Sequence, residues 1–121
     1  NQLTLSSAGM PPVLIYRAAT AEVEDIQLTG VPLGSVTSYQ YRQQQLTIAA
    51  GDVIVLMSDG LPERFNPADE MLGYDQPKVA LKESASLSAQ AIIERLLADA
   101  DAWAKGRPLD DDVTFVVVKV R

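Results

Sequence analysis

Five apolar residues in an unbroken run, Val53-Ile54-Val55-Leu56-Met57, constrain this chain more than any other segment. A strand with one wet face alternates apolar and polar side chains. An unbroken apolar run needs burial on both faces, and so a covering layer on each side of its sheet. A second run, Val113-Thr114-Phe115-Val116-Val117-Val118, reads as another core strand. Acid borders both: Ser58-Asp59-Gly60 follows the first run and Asp110-Asp111-Asp112 precedes the second. If the two strands pair antiparallel, the end of one lies beside the start of the other.

Composition narrows the chemistry those acids can do. The chain has no histidine and no cysteine, so any metal must be held by oxygen. That suits Mg²⁺ or Mn²⁺ and disfavours zinc or copper. It also excludes disulfides and thiol catalysis, and it fits a cytoplasmic protein. A net charge of −6 without Lys/Arg clusters argues against nucleic acid as a partner. No apolar run approaches a membrane span, and no signal-peptide pattern opens the chain. With 121 residues, 47% of them hydrophobic, the chain can bury one core and reads as one domain. Asn1-Gln2-Leu3-Thr4-Leu5 reads as a strand already under way, so the chain is expected to begin inside a larger domain.

Pattern and punctuation give the remaining elements. Residues 3–7, 12–18 and 23–28 read as strands, with Ala8-Gly9-Met10-Pro11 turning between the first two. Gly30-Val31-Pro32-Leu33-Gly34 reads as a loop. Residues 39–48 alternate and predict a half-exposed strand with Tyr39, Tyr41 and Leu46 inward. Residues 60–67 form a loop with one helical turn at Pro62-Glu63-Arg64-Phe65, and 75–83 a short helix. Residues 88–105 predict the main helix, capped by Ser88, with Ala91, Ile92, Leu96, Ala100 and Trp103 on its apolar side. Gly106 and Pro108 end it. Strands first, then helix, then strand predict an α+β fold of antiparallel strands.

Each acidic motif has two readings. Asp59-Gly60 after a strand is a common turn dipeptide; equally, a carboxylate fixed at a strand end, followed by Gly, leaves backbone room for a cation and its waters. Asp110-Asp111-Asp112 is a solvated acidic turn, or a set of like charges that a cation would compensate. Taken together they make a pair. Carboxylates held by adjacent core strands can grip two hard cations that activate a water for phosphoryl transfer. Trp103 reads as core, with an anchor for a partner as the alternative. Arg107 reads as a cation at a helix end, or as a guanidinium aimed at a phosphate.

Ser7-Ala8-Gly9-Met10-Pro11-Pro12, Gly30-Val31-Pro32-Leu33-Gly34, Leu46 through Val53 (with Ala50-Gly51-Asp52), Ser58-Asp59-Gly60-Leu61-Pro62-Glu63 and Asp111-Asp112-Val113-Thr114, in that order, resemble the C-terminal part of bacterial PPM-type (PP2C-like) serine/threonine phosphatases. Within them the chain is similar to the SpoIIE/RsbU-like branch that regulates sigma factors. The resemblance implies a partial PP2C-like α/β/β/α sandwich, with residues 1–121 its C-terminal portion and the N-terminal part of the fold missing. It implies Mn²⁺ or Mg²⁺, two ions in the intact domain, with Asp59 and Asp111 as metal ligands and Gly60 and Asp112 as supporting neighbours. It also implies a phosphorylated anti-anti-sigma (STAS-type) protein as substrate. Nothing here matches the family's N-terminal acidic motif, and Met10 stands where many members have His. Met is neither an acid nor a hard-metal ligand.

Three readings follow from the residues. The first is an enzyme that hydrolyses phosphomonoesters by a metal-activated water, inactive as this segment alone. The second is a non-catalytic module with a degenerate phosphatase fold that binds such a partner. The third is a segment that forms a homodimer through exposed strand edges.

Overall fold

The computed structural model describes residues 1–121. In chain order the elements are β1 (Gln2–Leu5), β2 (Val13–Arg17), β3 (Glu22–Ile26), β4 (Gln44–Thr47), β5 (Val53–Met57), α1 (Asp75–Ser84), α2 (Ala89–Ala104) and β6 (Phe115–Lys119). Every strand pairing is antiparallel: β1 with β4 in one sheet, and β3-β2-β5-β6 in the other. The larger sheet lies between the helix pair and the smaller sheet, giving three layers, α/β/β. No helix is long and apolar enough to cross a membrane.

The unbroken run in β5 has the two-sided burial its composition demands. Val53, Val55 and Met57 face Ala80 and Leu81 of α1 and Ile92, Leu96 and Ala100 of α2. Ile54 and Leu56 face the opposite way, toward Leu3 and Leu5 of β1 and Leu46 of β4. Burying each such large side chain contributes about 1.5–3 kcal/mol. β2 alternates in the same way, with Leu14 toward the helices and Val13 and Ile15 toward β1 and β4. β6 is covered on one face only. Phe115 and Val117 pack under the helices, while Val116 and Val118 are 53% and 43% exposed. The two-stranded sheet is too narrow to reach them.

α2 begins where Ser88 Oγ accepts the Ala91 amide at 3.1 Å. Its buried line is Ile92, Leu96, Ala100 and Ala104, one residue every turn or so. Trp103 is only partly buried, and its indole N–H donates to the Glu70 carbonyl at 3.1 Å, so it tethers a loop instead of filling the core. Lys105 closes the helix in the left-handed region (φ 48°).

Residues 39–48 and 3–7 do not pair over the full extent their sequences predict. Of residues 39–48 only Gln44–Thr47 pairs. Tyr39 and Tyr41 instead meet edge to face at 4.8 Å, and the Tyr41 hydroxyl donates to the Val31 carbonyl at 2.9 Å. The pair serves the loop, and no strand lies beside 39–43. The first strand stops at Leu5 because Ser7 Oγ accepts the Met10 amide at 3.1 Å, a turn that bends the chain away. There Gly30 approaches so closely that a Cβ would sit 2.0 Å from the Ser7 carbonyl oxygen. The first two motifs of the resemblance thus pack directly on each other.

Across the molecule from the acidic turns, Asp52 ties both sheets together. It is 3% exposed. Its Oδ1 accepts the Ala18 amide at 2.9 Å, and its Oδ2 accepts the Ala49 amide and Arg17 Nη1, both at 3.1 Å. Burial alone would push this carboxyl up. The two amides and the guanidinium outweigh burial and hold it below its ordinary value of 3.8.

Candidate functional site

β5 and β6 pair with Met57 opposite Phe115, so the residues after Met57 and before Phe115 leave the sheet together. The Ser58 amide donates to the Thr114 carbonyl at 3.0 Å. Ser58 Oγ accepts the Thr114 amide at 2.9 Å and donates to the Asp112 carbonyl at 3.2 Å. One side chain therefore staples the turn that carries Asp59 to the turn that carries Asp111. The sequence placed Ser58 in the acidic motif but gave it no role of its own. Its signal was a hydroxyl just past a strand end, a residue type that readily bonds local backbone.

Gly60 has a different role from the one its motif suggested. A Cβ there would lie 2.1 Å from the Asp112 carbonyl oxygen. The missing side chain makes room for the neighbouring backbone. Asp112 contributes that carbonyl to the contact, while its side chain is exposed. The turn continues as expected around Pro62, with the Glu63 amide on the Asp59 carbonyl and the Arg64 amide on the Leu61 carbonyl, both at 3.0 Å.

Between the two turns lies a cleft of about 230 Å³, walled by Gly60, Glu63, Arg64, Phe65, Asp110 and Asp111. Asp59 is exposed and outside that wall. Asp111 Oδ1 accepts the Asp112 amide at 2.7 Å, which leaves Oδ2 free to bind. Burial, followed by the charges of Glu63 and Asp59, raises the Tyr74 phenol above its ordinary value of 10.0. Tyr74 and Glu63 thus share the neighbourhood of Asp59, and neither was singled out from sequence. An apolar groove opens at the same strand ends, lined by Met10 together with Leu56, Met57, Ser58, Thr114, Phe115 and Val116.

Arg107 is neither aimed at an external phosphate nor spent on helix carbonyls. Its guanidinium bonds Asn66, Asp69 and Asp110 and lies 5.1 Å from the Phe65 ring centre. Those pairings, first with Asp69 and then with Asp110, hold it charged beyond its ordinary range.

The donors on these turns are carboxylate and carbonyl oxygens, the chemistry of a hard divalent cation. In number the set is partial, since no three acidic side chains assemble closely enough to hold an ion. By chemistry the carboxylates of Asp59 and Asp111 suit a hard cation; by number the acids present do not complete a site for one.

Comparison with known proteins bears on this arrangement. The family model described as stage II sporulation protein E (SpoIIE) matches residues 1–121. The phosphoserine phosphatase RsbU of Bacillus subtilis (strain 168) is 29% identical over 119 residues, which are 98% of this chain but 35% of that relative's length. The PP2C phosphatase domain of the cell fate determinant SpoIIE from Bacillus subtilis, solved with a fragment of its regulatory domain, superposes with a TM-score of 0.76 at 24% identity. That match covers 98% of this chain and 34% of that one. The SpoIIE phosphatase domain presoaked with Mn gives a TM-score of 0.68 at 22% identity, covering 99% of this chain and 56% of that one. The superpositions show that the α/β/β layers here are a partial PP2C phosphatase fold. Matched along its whole length by the family model, the chain belongs to the stage II sporulation protein E (SpoIIE) family.

Proposed function

We propose that residues 1–121 are the C-terminal portion of a single PPM-type phosphatase domain, which hydrolyses phosphoserine or phosphothreonine on an anti-anti-sigma (STAS-type) protein in sigma-factor regulation. The observation that carries this reading is the stapling of the Asp59 turn to the Asp111 turn through Ser58. It puts one acid on each of two touching turns at one end of β5 and β6, in a chain of this family.

In this reading Asp59 and Asp111 each give carboxylate oxygen to Mn²⁺ or Mg²⁺, and further ligands come from outside the 121 residues. When bound, the cations supply Lewis-acid activation of a water for attack at phosphorus. Gly60 and Asp112 keep the turns in register through the carbonyl contact. RsbU, by its name a phosphoserine phosphatase, and the Mn presoak of the SpoIIE domain support the substrate class and the ion.

The test uses the intact protein and a phosphoserine-bearing STAS protein. Phosphate release should require Mn²⁺ or Mg²⁺, stop with EDTA, and fall at least about a hundredfold in Asp59→Asn and in Asp111→Asn. A non-catalytic module has one observation in its favour, the partial set of acids. Tight binding of the phosphoprotein with no release at any metal concentration would establish that second reading.

A further inference from the structure

Two arginines outside the acidic motifs also tie together the segments that carry the two turns. Arg64 follows the Asp59-Gly60 turn and is 7% exposed. Its Nη2 donates to the Arg107 carbonyl at 2.9 Å. Arg107, in the connection from α2 to β6, reciprocates. Its Nη1 donates to the Asn66 carbonyl at 3.2 Å and to Asp69 Oδ1 at 2.5 Å, and its Nη2 donates to Asp110 Oδ1 at 3.3 Å. Each arginine holds the other's backbone segment, and Arg107 holds both segments at once.

The sheet cannot do this by itself. Its ladder ends at Met57 and Phe115, before either Asp59 or Asp111 is reached. Ser58 fixes the backbone on one side of Asp111, at Asp112. On the other side Arg107 holds the Asp110 carboxylate, a side-chain contact. Asp111 is thus suspended between two anchors, each tied to the segment that carries Asp59. Nor is the arrangement the one that stability alone would favour. Arg64 Nε and Nη1 are buried without partners, and its nearest carboxylate, on exposed Asp101, is 3.7 Å away. A buried guanidinium with unfilled donors costs stability that an apolar side chain of similar size would not.

We propose that Arg107 and Arg64 are positioning residues for the cation site: by gripping each other's segments they set the separation of the Asp59 and Asp111 carboxylates. The proposal rests on the metal reading above. A planar fork is needed, because a lysine ammonium cannot reach Asn66, Asp69 and Asp110 together.

The experiment measures Mn²⁺ affinity by calorimetry in the intact protein, with melting temperature and amide exchange followed in EDTA. Arg107→Lys keeps the charge, so a change in affinity reports geometry. Affinity should fall about tenfold, with faster exchange in 66–70 and 110–112 but unchanged exchange in β5 and β6. Arg64→Met should leave the melting temperature equal or higher and still weaken Mn²⁺ binding, although loss of a positive charge alone would tighten it. Mn²⁺ binding equal to wild type in both variants overturns the proposal. So does loss of the metal-free fold in Arg107→Lys, which would make that residue structural. A wild-type protein that binds no Mn²⁺ overturns the metal reading itself, and the clamp with it.

Discussion

Ser58 and Thr114, fifty-six residues apart in the chain, exchange hydrogen bonds in both directions, amide to carbonyl at 3.0 Å and amide to hydroxyl at 2.9 Å. This extends the pairing of β5 and β6 by one step beyond the regular ladder, with a side chain replacing a backbone acceptor. It delivers two acidic turns to the same place. Removing the hydroxyl in Ser58→Ala should cost about 1 kcal/mol of stability, read as a lower urea midpoint. It should weaken Mn²⁺ binding by more than that loss explains, because the Asp112 carbonyl loses its anchor.

Gly60→Ala probes the same junction by steric means. Its Cβ would meet the Asp112 carbonyl at 2.1 Å, and that oxygen belongs to the backbone, so one turn must move. The expected cost is about 1–3 kcal/mol, seen as a lower melting temperature, together with loss of most phosphatase activity in the intact protein. A variant with full activity and unchanged melting would show that the two turns do not need this contact.

Asp52 supplies a pH dependence unrelated to the site. Its folded pKa lies below the ordinary 3.8, so the unfolded chain takes up a proton before the folded one does. The stability it contributes is therefore complete above that value and is lost as pH falls from there through the lower folded pKa. Urea midpoints measured from pH 6 to pH 2 should decline in this acid range. Asp52→Asn should start about 2–3 kcal/mol lower and decline less steeply.

Residues 1–121 alone should hydrolyse p-nitrophenyl phosphate at close to background with Mn²⁺, because the acids they contain do not complete a cation site. Strong Mn²⁺-dependent turnover by this segment, abolished by Asp59→Ala, would show that Asp59 and Asp111 suffice.

The core of the fold was legible because it rests on local pattern. An unbroken apolar run must be buried on both faces, and β5 is. Ser88, the apolar spacing and Gly106 mark α2 within a residue or two of where it lies. The positions of Asp59 and Asp111 at the ends of two core strands could likewise be read directly. Tertiary structure decided what those signals could not carry. It left 39–43 out of the sheet because no strand lies beside them, and it exposed Val116 and Val118 because the second sheet is narrow. It gave Gly60 to a backbone contact, and it turned Arg107 inward onto Asn66, Asp69 and Asp110. Periodicity and turn chemistry act over a few residues and are written in the order of the chain. The partners of Gly60 and Ser58 lie more than fifty residues away, and Asn66 and Asp69 lie about forty from Arg107, so only the packing of the sheets and helices selects them.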